Sequence, residues 1–409
     1  MSGAQSARDR YGDIAEPVTP NRVSWLKVTI AAGMLFGLLL SHKLWVNSRS
    51  YPVTPVHPLL RPIRFPFDYA MFAVFLTLLA FIAVAKNPAK LIATFVFLAF
   101  VWALFDQSRW QPWFYQYLFM LSALGLWFSN RTDSLKRAAA LNACRLIIVS
   151  IYFWSGIQKL NPAFVRGTFP WMLAPLTGAL PVAVMARAQS LALAAPFVEI
   201  GIALGLLTQR FRNAAVFVAV AMHLFILASV GPLGRNYNNV IWPWNIAMLA
   251  SVPLLFWRVP KVRGTNVLWG QRLAFQKIVL ALFAIAPALS LVNRWDTFLS
   301  FSLYTGNRDT ATFYMAAPVA ARLPANVQEF VSEEDPQDPS RPDSLAVSDW
   351  SWGELNVPPY PELRIFKNIA RQICRQASQP SDVNLVIRGK TTWFLRAQQS
   401  VYDCAALAN

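Results

Sequence analysis

Residues 139–160 read AALNACRLIIVSIYFWSGIQKL, and residues 161–171 continue as NPAFVRGTFPW. The first stretch is apolar except for a few polar positions, with Arg145 near its start and Lys159 near its end. About 20 residues of helix cross the hydrocarbon of a bilayer, so the stretch reads as a transmembrane helix. On that helix Arg145, Val149, Tyr152, Gly156 and Lys159 follow one another at spacings of four, three, four and three, which puts them on one stripe. A stripe with two cations and a phenol must face protein, because an ionisable group in hydrocarbon is costly unless it is paired or turned to a cavity.

Comparable apolar runs occur at 26–45, 67–85, 90–105, 113–129, 189–208, 213–231, 240–257 and 273–293. With 56% hydrophobic and 14% charged residues, the expected fold is an all-α polytopic membrane bundle of about nine spans followed by a small α+β domain. The boundaries are 1–22 for an N-terminal tail, 23–294 for the membrane domain and 295–409 for the soluble domain. The first span follows a polar tail with no small-residue cleavage site after it, so it reads as an uncleaved anchor.

The net charge of +17 invites a nucleic-acid reading until it is divided. Residues 1–294 hold 27 Lys/Arg against 7 Asp/Glu, and residues 295–409 hold 10 against 13. The excess therefore belongs to the membrane part, where fourteen basic residues fall in the segments on the N-terminal side and seven in the opposite loops. That is the positive-inside pattern, and it excludes a nucleic-acid partner. It predicts a multi-pass membrane protein, N-terminus cytoplasmic and tail domain periplasmic or extracellular. The loops DQSRWQPW (106–113), NPAFVRGTFPW (161–171) and GPLGRNYNN (231–239) then share the outer side.

Arg145, Lys159, Glu199 and His223 are the ionisable candidates within spans. Lys159, just before a loop, either snorkels to the interface or loses its water shell, acquires a lowered pKa and serves as a base. Glu199 and His223 sit at similar depths on consecutive helices, where they form a proton relay, form a helix-to-helix clasp, or bond backbone carbonyls separately. Asp106, Arg109, Trp110, Asn236 and Asn238 lie in outer stretches rich in Trp, Tyr and Asn, which suit an interfacial aromatic belt and equally a pocket for a quinone-like molecule or lipid headgroup. Three histidines, at 42, 57 and 223, with no acidic pair near them point away from a metal site, and phosphate loops and hydrolase elbows are absent.

In the tail, VNLVIR (383–388), RGKT and TTWFLRAQ (391–398) read as a strand, a turn and a second strand. Leu363, Phe366, Ala370 and Ile373 mark an amphipathic helix, and SEEDPQDPSRPD (332–343) is an acidic surface loop. Cys374 and Cys404 share this domain and are either free or paired.

YFWSGIQKLNPAFVRG (152–167) resembles the membrane domain shared with vitamin K-dependent gamma-carboxylases, the horizontally transferred transmembrane domain. Asp106 and Trp110, His223, and the Pro-Trp-Asn stretch at 243–245 agree in order, so the resemblance covers most of residues 20–295. RLIIVSIYFWSGIQKL is also similar, more weakly, to the DoxX and MauE redox-associated membrane proteins. The resemblance implies a bacterial inner membrane as the setting, with Lys159 as the base that deprotonates a hydroquinone and His223 as a second catalytic group. The family's Trp-Asn-Asn-His element reads Trp110-Gln111-Pro112-Trp113 here, so the histidine that assists carboxylation is missing. The expectation narrows to an outward-facing pocket in which Lys159 deprotonates or orients a quinol or lipid-like substrate, lined by His223, Glu199, Arg145 and Tyr152. The alternative is a non-catalytic membrane partner that docks an extracytoplasmic protein or peptide through its tail. A transporter ranks behind both, without internal repeats or broken helices.

Overall fold

A computed structural model describes residues 19–130, 132–178, 181, 190–259, 262–270, 273–332, 342–392, 394 and 396–408. Most of the N-terminal tail, Arg131, Arg187, Lys261, Arg272 and most of the acidic loop lie outside the described residues. Five helices are long and apolar enough to cross a membrane: α1 (Pro20–Leu40), α2 (Phe67–Val84), α5 (Ser134–Gln158), α8 (Arg212–Val230) and α10 (Ala274–Val292). Between them lie α3 (Ala89–Leu104), α4 (Pro112–Ser129), α6 (Phe169–Thr177), α7 (Ala195–Leu207) and α9 (Ile241–Phe256). Proline opens α1, α4 and α7 at a position whose N–H has no partner within a helix.

Helix α5 is the axis of the bundle, since 89% of its most apolar window is buried, against 22% for the peripheral α2. Asp133 caps its start by accepting the N–H of Lys136, and Lys159 caps its end. The outside of the bundle exposes Phe81, Phe97, Leu204, Phe217 and Ile246, a surface unsuited to water and compatible with lipid.

The tail folds on a five-stranded antiparallel sheet of order β2-β3-β1-β4-β5, with β1 Thr310–Met315, β2 Val331–Ser332, β3 Asp343–Ala346, β4 Val383–Arg388 and β5 Gln399–Asp403. Ala311, Phe313 and Met315 alternate inward on β1, as Val383, Leu385 and Ile387 do on β4. Two sequence expectations need correction here. Strand β4 pairs with Gln399–Asp403 and not with TTWFLRAQ, because Lys390 and Thr391 are drawn out of the ladder by bonds to Asp309 and Asn307. The buried stripe of α12 (Leu363–Ile373) is Ile365, Phe366, Ile369, Ala370 and Ile373, while Leu363 is 40% exposed at the helix's first turn. Cys374 and Cys404 form a disulfide that ties the end of this helix to the end of β5.

The tail sits on the end of the bundle where α1 finishes and α4 begins. Glu354, at the end of α11 (Val347–Leu355), accepts the N–H groups of Ser50 and Tyr51, each at 2.7 Å, and Trp350 Nε1 at 2.9 Å. Asn356 donates to Leu40 O at 2.8 Å and Asn239 Oδ1 at 2.6 Å. At the same end a buried ion pair joins Arg49 and Asp106, with both side chains fully covered. Asp106 also accepts from Thr54 Oγ1 at 3.0 Å and Ser108 N at 3.1 Å.

Burial alone would raise the Asp106 pKa, but the guanidinium groups of Arg49 and Arg109 and the N–H of Ser108 outweigh it and hold the carboxyl below its usual 3.8. A folded-state pKa below the unfolded one makes the stabilisation complete above about pH 4 and loses it as pH falls through the folded value. Arg49→Gln should leave the buried carboxylate with only the more distant Arg109 guanidinium and cost up to about 3–5 kcal/mol, read as a lower thermal midpoint in detergent. Asp106→Asn should blunt the acid sensitivity of the wild-type midpoint.

Candidate functional site

The loop after α5 decides where Lys159 points. Asn161 Oδ1 accepts the N–H of Phe164 at 3.0 Å and Pro162 follows, so the chain turns at once and lays Phe164 over the lysine. The amine does not snorkel outward, since Lys159 is only 5% exposed. Its Nζ donates to Ser155 Oγ at 2.6 Å and meets both Glu199 oxygens, at 2.9 and 3.0 Å. The Phe164 ring centroid is 5.9 Å away.

Gly156 makes this pairing possible. A Cβ there would meet Pro196 O at 2.7 Å and Ile200 Cγ1 at 2.8 Å, so α5 and α7 approach at a distance only glycine permits. Glu199 therefore reaches Lys159 on α5 and not His223 on α8, which corrects the expected pairing of Glu199 with His223 and the alternative of separate carbonyl bonds.

His223 belongs to a second chain of bonds. Its Nδ1 is 2.8 Å from Asn245 Oδ1, and its Nε2 is 2.8 Å from the Tyr152 hydroxyl. Asn245 donates its Nδ2 to Ile241 O at 2.9 Å, which leaves Oδ1 as acceptor. The proton is thus assigned to Nδ1, and Nε2 accepts from the Tyr152 O–H.

Both groups line one cavity of about 450 Å³. Tyr152, Ser155 and Lys159 come from α5, Glu199 from α7, His223 from α8 and Asn245 from α9. The remaining wall is almost wholly apolar, including Met222, Phe225, Ile226 and Met248. Phe164, Phe169 and Met172 cover one side, and Leu303 and Tyr304 descend from the chain leading into the tail. Tyr304 has a left-handed backbone (φ 51°), and its hydroxyl accepts from Asn238 Nδ2 at 3.2 Å. Gly306, at φ 66°, passes so close to Thr168 that any side chain would collide with the Thr168 hydroxyl.

Tyr152, Lys159, Glu199 and His223 are therefore brought together, and six other sequence candidates are not. Arg145 lies fourteen residues before Lys159, about 21 Å along the helix, where it donates to Asn142 Oδ1 and Leu255 O. Asp106 and Arg109 stitch the loop after α1 to the start of α4, with Arg109 donating to Leu44 O, Trp102 O and Asn47 Oδ1. Trp110 lines a separate cavity beneath α12. Asn236 shapes a turn with φ 49° and an N–H bond to Gly231 O. Asn238 lines an adjoining cavity of about 630 Å³ that shares Trp244, Leu303 and Tyr304 with the first.

Ser155, Asn245 and Tyr304 escaped sequence reasoning. Ser155 stands one helical turn before Lys159, and Asn245 closes the Pro-Trp-Asn stretch, so both carried a local signal. Tyr304 carried none, because its place depends on how the tail docks. Among the described residues no group of three or more His, Cys, Asp or Glu forms a metal site.

Fold and site together define a helical protein of membrane character, capped by a small α+β domain, with a buried ion pair and a Tyr-His-Asn chain facing one apolar cavity. Comparison with protein-family models, curated proteins and solved structures finds no match.

The two partners of the ion pair should be strongly coupled. Lys159→Met and Glu199→Gln each strand one buried charge or polar group, and each should lower the thermal midpoint, at about 3–5 kcal/mol for an uncompensated buried charge. The double variant should be less destabilised than the sum, by about 1–3 kcal/mol in a double-mutant cycle.

Proposed function

We propose that this chain is a multi-pass membrane protein related to the horizontally transferred transmembrane domains, and that its 450 Å³ cavity binds and deprotonates a quinol or other lipid-like hydroxyl compound. In this reading the chain crosses the bilayer nine times, with the N-terminus cytoplasmic and the tail outside. The disulfide between Cys374 and Cys404 fits an oxidising compartment, and Arg22, Lys86, Lys90, Lys136 and Arg210 lie toward the end away from the tail.

One observation carries the functional reading: Lys159, Glu199, Tyr152 and His223 converge from three helices on a cavity lined mostly by apolar side chains. Such a cavity favours an apolar molecule with a small polar edge. An acidic hydroxyl entering beside Lys159 would give its proton to the Lys159–Glu199 pair, whose carboxylate accepts while the ammonium faces the oxyanion. The Tyr152–His223–Asn245 chain presents a second donor and acceptor for the other end of a ring with two oxygens.

Organic extraction of the purified wild type followed by mass spectrometry should recover a lipophilic hydroxyl compound or its quinone, and Lys159→Ala should retain at least about tenfold less, the loss expected for about 1.4 kcal/mol of contact. Equal recovery from both proteins would remove Lys159 from the site. A cysteine placed at Arg61 should react with an impermeant maleimide added outside intact cells; labelling only after lysis would reverse the orientation.

A further inference from the structure

A third cavity, of about 820 Å³, lies apart from the Lys159 site, where α12 passes over the bundle. The tail carries a net negative charge, with 10 Lys/Arg against 13 Asp/Glu in residues 295–409. Yet the helical residues facing this cavity are Arg364, Asn368, Arg371, Gln372 and Arg375. At 100° per residue the four on α12 fall within an arc of about 100°, and Arg375 follows in the single 3-10 turn that continues the helix. The opposite face is buried against the sheet through Ile365, Phe366, Ile369 and Ile373, which fixes the basic stripe over the cavity.

The floor has the opposite character. Phe100, Tyr115, Phe119, Leu282 and Leu299 line it from α3, α4, α10 and the chain after α10. Phe100 and Val56 are 44% and 52% exposed on the flank of the bundle, so the cavity opens sideways, where acyl chains would lie. Trp110 and Trp295 flank it, as indoles do at headgroup level.

The three arginines are not equally engaged. Arg364 is neutralised by Asp296, which accepts from Nη1 at 2.9 Å. Arg371 uses Nε on Leu407 O and Nη1 on Asn368 Oδ1, both neutral partners. Among the described residues no carboxylate pairs with Arg371 or Arg375, and both are exposed. Trp295 adds a buried indole N–H with no acceptor among the described residues.

We infer that this cavity is a binding site for an anionic glycerophospholipid, with the phosphate at Arg371 and Arg375 and one acyl chain along Phe100, Phe119 and Leu282. Guanidinium groups match phosphate oxygens in pairs, and each basic group at a lipid surface strengthens binding several-fold. The lateral opening and the apolar floor select a lipid over a soluble acidic peptide, which would leave that floor uncovered. The lipid would then bridge bundle and tail and reinforce the docking made by Glu354 and Asn356.

The test places the full chain in nanodiscs of equal phosphatidylglycerol and phosphatidylcholine and counts retained lipids by native mass spectrometry. The wild type should retain phosphatidylglycerol selectively, and the double variant Arg371→Gln/Arg375→Gln should retain about 10- to 30-fold less of it at unchanged phosphatidylcholine. Arg166→Gln, an exposed arginine beside the Lys159 loop, should change nothing. Should the glutamine pair disturb the tail, Arg371→Lys/Arg375→Lys keeps both charges and should keep the preference, which a high-salt wash should abolish. No preference in the wild type, equal retention by the glutamine pair, or displacement of the lipid by soluble oligoglutamate would each overturn the site.

Discussion

Everything at the centre of this molecule follows from how closely two helices approach at Gly156. The missing side chain lets Pro196 and Ile200 sit against α5, and one turn later the same approach brings Glu199 to Lys159. A larger residue would separate the helices and leave an ammonium and a carboxylate in an apolar interior, each without a counter-charge, at a cost of several kcal/mol per ion. Pro162 and the Asn161 turn, which bend the chain back over the amine, serve the same end by shutting out water. Packing and electrostatics are one constraint here, because the approach that fills space also neutralises the charge.

The tail domain takes part in that site and does more than cover the bundle. Leu303 and Tyr304 form part of the wall around Lys159 and Glu199, and Tyr304 is held by Asn238 from the loop before α9. The docking that sets this wall is polar and directional. Glu354 takes two backbone N–H groups from the loop after α1, and Asn356 spans Leu40 and Asn239. A carboxylate accepting main-chain donors fixes position more tightly than apolar contact does. The tail is thereby registered to the bundle at the loops that frame the cavity.

Much of the architecture could be read from local pattern. Apolar runs marked the helices because length and hydrophobicity occur together in them, and the stripe through Tyr152, Gly156 and Lys159 followed from helical spacing alone. Partner choice was not legible. Glu199 and His223 share a depth, and only the Gly156 contact decides that Glu199 turns to α5. Arg145 shares the stripe of Lys159 but lies four turns away, since spacing defines a face and says nothing of which part of it meets a cavity. Asp106 and Arg109 looked like ligand-binding residues and proved to be internal ties, because loop backbone buried under a docked domain must satisfy its own carbonyls. The tail's second strand was misplaced for a related reason: bonds from Asp309 and Asn307, some eighty residues earlier, override local β-propensity.

A buried ion pair is a poor device for stability alone, since hydrophobic residues of similar volume hold helices together equally well or better. The close contact at Gly156 already binds α5 to α7 without it. The pair's setting fits the chemical use proposed for it. The carboxylate and the ammonium face a cavity of about 450 Å³, and are not enclosed between helices. The Tyr152–His223–Asn245 chain faces the same space with its own proton order. Two separate polar groups, each satisfied within the protein and each bordering a common apolar volume, match the proposed occupant, a molecule that is mostly hydrocarbon and polar at two points. That geometry is the ground on which we propose a quinol-like occupant.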